Sequence, residues 1–128
     1  MNRVLRNQIL ACGVSLAFGA CATSAVPVGT ATVGTYTLDV SREGDAPGAG
    51  VNTRWVLKPT VGGNPTSIKA WVAGDSSESA TKVLAVYDPA DGDFDADVTA
   101  PTPMPGHPKF WFDVDTNGVV LTGSVDVK

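Results

Sequence analysis

The chain has 128 residues, 43% hydrophobic and 17% charged, with nine Lys and Arg against 13 Asp and Glu, one His and two Cys. That length suits a single domain with a sizeable core, and a formal net charge of −4 with no basic cluster argues against nucleic acid or an anionic lipid surface as partner. Two cysteines exclude a disulfide-dense scaffold.

Arg3 and Arg6 precede "ILACGVSLAFGA", Ile9 to Ala20, which is apolar or small throughout. This pattern reads as an export signal over residues 1–20. As a helix the run rises about 18 Å, against a hydrocarbon core of about 30 Å, so it suits processing better than a permanent span. Its end, "LAFGAC", resembles the bacterial lipoprotein box, with Gly19, Ala20 and Cys21 in place and Phe18 where the box usually has Leu. The resemblance implies that Cys21 is lipidated and becomes the first mature residue. Ala22 after it matches the box's outer-membrane signal. Ordinary signal peptidase cleavage after Ala22 is the alternative, because Ala20-Cys21-Ala22 also has the A-x-A form. Acyl chains contribute about 0.8 kcal/mol per buried methylene, so several on one residue make a durable anchor. Loss of Arg3 and Arg6 with the signal leaves seven basic and 13 acidic residues, a charge of −6. Cys12 leaves too, and the mature domain is expected to rely on its core without a disulfide.

Residues 22–33, "ATSAVPVGTATV", are small and uncharged, and with Cys21 they read as a flexible tether over 21–33 ahead of a folded domain at 34–128. In that domain "TYTLDVS" and "VNTRWVL" alternate, placing Tyr36, Leu38 and Val40, then Val51, Thr53, Trp55 and Leu57, on single faces. Further strands are expected at 67–73, 81–87, 93–99, 109–115 and 119–127, with Asn117-Gly118 as a tight hairpin turn. Breakers such as "EGDAPGAG" and "KPTVGGNP" separate them, and no helical stripe is sustained. Seven short strands predict an all-β, immunoglobulin-like antiparallel sandwich without the intersheet cysteine pair.

Three residue groups are candidate sites. Asp88, Asp91, Asp93, Asp95 and Asp97 form an acidic run that invites comparison with calcium loops. An EF-hand opening at Asp91 would need Gly at Ala96 and Glu at Thr102, and period two places Asp93, Asp95 and Asp97 outward with Phe94, Ala96 and Val98 inward. A solvated strand face is the better reading. Met104 and His107 in "MPGH" are donor types that copper accepts, yet Pro101, Pro103, Pro105 and Pro108 equally suit a stiff connector. Trp71 and Trp111 fall out of phase with the apolar faces of their strands, beside Lys69 and Asp113, and are expected to form an exposed platform for a sugar ring or a partner. Trp55, in phase, belongs to the core. Catalysis has little footing, since His107 is the only histidine and no G-x-S-x-G, zinc spacing or phosphate-cradling loop is present.

"GTYTLDV", "DGDFDADVTAP" and "KFWFDVDTNGVVLTGSVDV" together resemble the small envelope sandwiches of the YtkA-like and FixH-like kind. That resemblance covers residues 34–128 in pattern. It implies a sandwich associated with copper handling or with assembly of envelope oxidases, with Met and His in central loops, where this chain has only Met104 and His107. The expectation is a noncatalytic, lipid-anchored envelope domain that binds a protein or glycan or plays a structural role, with a periplasmic copper module as the alternative.

Overall fold

In the computed structural model, which describes residues 25–76 and 81–127, the described residues form nine strands and no helix. The expected signal segment and Cys21 lie outside the described residues. The strands are β1 (Ala25–Val33), β2 (Tyr36–Glu43), β3 (Asn52–Val61), β4 (Ser67–Ala73), β5 (Val83–Leu84), β6 (Val86–Asp88), β7 (Asp93–Thr99), β8 (Lys109–Thr116) and β9 (Val119–Asp126). They pair antiparallel in two sheets, ordered β1-β2-β3-β7-β6 and β5-β4-β8-β9. With β1 set aside, β2-β3-β7-β6 and β5-β4-β8-β9 follow the immunoglobulin-like order, A-B-E-D against C-F-G with one added edge strand.

Alternation builds the core. Leu38 and Val40, Trp55 and Leu57, Ile68, Ala70 and Val72, Phe94, Ala96 and Val98, and Phe110, Phe112 and Val114 all turn inward and are buried. At its centre Trp55 of β3 stacks on Phe110 of β8, with centroids 4.2 Å apart and planes 11° off parallel. These strands occupy the B and F positions that antibody-type domains join by a disulfide, so here an aromatic stack bridges the sheets where that covalent link would lie.

Two expectations need correction. The tether expected over 21–33 is strand from Ala25 to Val33, so residues 25–33 belong to the folded body expected only from 34. β1 was hidden because its register shifts between Pro27 and Gly29, leaving buried Val28 and Val33 five residues apart and out of any two-residue rhythm. The run at 81–87 is two strands in different sheets: Val83–Leu84 pairs with β4 and Val86–Asp88 with β7. Ala85 is the crossing point, its N–H bonded to the Ile68 carbonyl at 2.8 Å.

The Asn117-Gly118 turn is as expected, with φ of 52° and 88°. On the opposite face of the chain's last hairpin, β9 lies close beneath β1. A Cβ at Gly123 would collide with Val33, and one at Gly34 would come within 2.5 Å of Leu121. Glycine at these positions is what lets the two layers close at this edge.

Candidate functional site

β4 and β8 pair so that Trp71 stands opposite Trp111 and Lys69 opposite Asp113. Their in-between residues fill the core, so these four side chains belong to the outer face of the four-stranded sheet. The indoles stack at 6.5 Å with planes 12° apart. Lys82 lies over the Trp71 ring, its amine 4.5 Å from the centroid, and reaches Asp113 Oδ2 at 2.8 Å. The other Asp113 oxygen accepts a hydrogen bond from Thr122 Oγ1 at 2.6 Å. Trp111 Nε1 donates to the Gly74 carbonyl at 2.9 Å, which fixes its ring.

The face expected for both tryptophans is thus correct, but the expected exposure of Trp71 is not. It is 1% exposed, while Trp111 is half-buried. Alternation reports which side of a sheet a residue points to; it carries no information on what folds over that side. Lys82 was missed for the same reason. It lies just before β5 outside any period, and only the fold brings its cation to the indole.

The proline-rich connector adjoins this surface: a Cβ at Gly74, the residue that accepts the Trp111 bond, would lie 3.3 Å from Pro105 Cβ. Met104 packs partly buried against the core. His107 has φ of 52° and an 82% exposed side chain, with Nδ1 3.9 Å from Asp75 Oδ2. One donor of the expected copper pair therefore turns inward and the other to solvent.

The acidic run divides. Asp88, Asp91 and Asp93 converge at the β6–β7 turn, each with a carboxylate oxygen within 4.8 Å of the others. Oxygens around one calcium at 2.3–2.6 Å can be that far apart, but three are fewer than the six to eight that calcium takes. The turn is tied by Gly92 N–H to the Asp88 carbonyl at 2.8 Å and by Ala90 N–H to Asp88 Oδ1 at 2.9 Å. Asp93, expected to face solvent, is 5% exposed, because it begins β7 directly opposite Asp88 rather than out on the open sheet. Asp95 is half-buried, and Asp97 is exposed and forms a two-pronged ion pair with Arg54 at 3.0 and 3.1 Å. That hydrogen bond raises the Arg54 pKa above its ordinary value.

Comparison with protein-family models, with curated proteins and with solved structures finds no match to this chain. Among the described residues no helix is long and apolar enough to cross a membrane.

Proposed function

We propose that this chain is a noncatalytic, lipid-anchored domain of the bacterial envelope that offers the outer face of its four-stranded sheet to an envelope protein or glycan. The observation supporting this reading is Trp111, a half-buried indole that lies outside the core and stacks on Trp71. Trp71 is covered, so the contact surface is the open side of Trp111, pinned through Gly74 and rimmed by Asp113, Lys82 and exposed Lys69. A fixed indole with charged hydrogen-bonding neighbours is what a sugar ring or an aromatic-seeking partner needs. Export, lipidation at Cys21, the outer-membrane location and kinship with YtkA-like and FixH-like domains belong to the same reading. The copper alternative through Met104 and His107 gains nothing from their packing, which points the two side chains apart.

Two measurements test it. Tryptophan emission is titrated with N-acetylglucosamine oligosaccharides, and a photocrosslinker at position 111 is compared in cells with one at Asp39, on the other sheet. A saturable emission change lost in Trp111→Ala, or a discrete envelope product at 111 alone, supports the reading; silence in both overturns it. Intact mass addresses the anchor, since native protein should carry acyl mass that Cys21→Ser lacks.

A further inference from the structure

We infer that β9 is a self-association edge, through which two copies of this chain pair antiparallel about a two-fold axis at Thr122. This goes beyond the Trp111 surface and does not depend on it.

Among the described residues β9 is hydrogen-bonded on one side only, to β8. The two-residue turn makes Thr116–Val119 the first bonded pair of the hairpin, so alternate residues from Val119 bond to β8. The Val127 N–H to Pro108 carbonyl bond, 3.1 Å, keeps the same rhythm just past the strand. The N–H and C=O groups of Val120, Thr122 and Ser124 therefore point to the free edge.

Edge strands are normally blunted by charge, proline, a bulge or brevity. Every other edge here is: β1 has Pro27 and a register shift, and β5 and β6 are two and three residues long. β9 has none of these over Val119–Val125, and Val119, Val120 and Leu121 are 62%, 52% and 39% exposed. Asp126, bound to Lys109 at 3.3 Å, ends the uncharged span.

The occupant follows from charge and symmetry. A chain of net charge −4 meets its own copy at least cost where neither surface is charged. The uncharged span overlaps its copy in full only when centred on Thr122, and that register also brings the free N–H and C=O groups of Val120 and Ser124 opposite each other. Leu121 then stands opposite Gly123 of the second copy, a large side chain beside none. Asp126 of each copy lies in β9 itself, but this register puts the two at opposite ends of the joint, eight residues or about 27 Å apart, while Asp113 and Asp115 sit one strand back. Across the joint their strands are three spacings apart, about 14 Å, beyond a Debye length of about 8 Å.

Sedimentation equilibrium of the full-length chain in detergent tests this. Wild type should show a monomer–dimer equilibrium. V120K/S124K opposes like charges twice per dimer and should weaken association about tenfold or more, whereas V120K/S124E opposes unlike charges and should retain it. Ser124→Pro removes an N–H that only the free edge uses and should also give monomers, with circular dichroism unchanged in all three. A wild type that stays monomeric up to its solubility limit, or two charge variants that associate equally, would overturn the inference.

Discussion

Trp55 sits at the centre of the core: it is 0% exposed, stacks on Phe110 across the layers, and its indole N–H has no hydrogen-bond partner. Trp55→Ala should cost about 3–5 kcal/mol, a large part of the 5–15 kcal/mol that holds a typical domain together. Trp55→Phe should cost clearly less, because it keeps a stacked ring and removes a buried donor that lacks an acceptor. Urea unfolding followed by circular dichroism should rank the midpoints wild type, Phe, then Ala; equal losses for both variants would mean that the stack itself contributes little. The sequence shows Trp55 in phase with Leu57, which is why its burial is legible there. Trp71 and Asp93 were read by the same alternation and assigned the right strands, yet both are buried, Trp71 beneath Lys82 and Asp93 at the start of β7 opposite Asp88. Of the candidate surface, the Trp71–Trp111 face was legible and its cover was not.

Strands announced by regular alternation, β2, β3, β4, β7 and β8, are legible from the chain alone because one buried face imposes a period of two, and β9 is legible through the Asn117-Gly118 turn before it. β1 and the β5–β6 crossing are not, since a bulge and a change of sheet break that period. β1 nonetheless buries Val28 and Val33, each worth about 1.5–3 kcal/mol, and covers the β2 edge along eight paired positions from Ala25 to Val33. A chain truncated to begin at Gly34 should therefore lose several kcal/mol and melt at markedly lower temperature, whereas removal of a mere tether would change nothing. Hydrogen exchange gives an independent readout, with β1 amides bonded to β2 protected well beyond those of exposed Thr102, Gly106 and His107 in the connector. The Arg54–Asp97 pair joining β3 to β7 should matter far less. Its side chains are 45% and 53% exposed, which limits such a pair to about 1 kcal/mol or less, and the raised Arg54 pKa leaves that guanidinium charged throughout the neutral range.

For the molecule as a whole, the short distance from the proposed anchor to the first strand sets the geometry. Cys21 and Ala25 are four residues apart, a leash of at most about 14 Å. Ala25 pairs with Glu43 at the end of the sandwich that bears the proline-rich connector, while the Asn117-Gly118 turn caps the other end, about 30 Å away along a nine-residue strand. A single anchored copy is thus held with residue 107 toward the bilayer and residue 117 away from it. Antiparallel pairing through β9 inverts the second copy, so the two leashes leave from opposite ends. Both reach one bilayer only when the strands run along its surface. Dyes attached through His107→Cys or Asn117→Cys should then be quenched to similar extents by brominated lipids in vesicles carrying the wild-type edge. In the V120K/S124K background the same dyes should separate, with the one at 107 quenched and the one at 117 spared. A dye at 117 that stays bright with the wild-type edge would mean that anchored copies stand upright on one bilayer and leave β9 unpaired there.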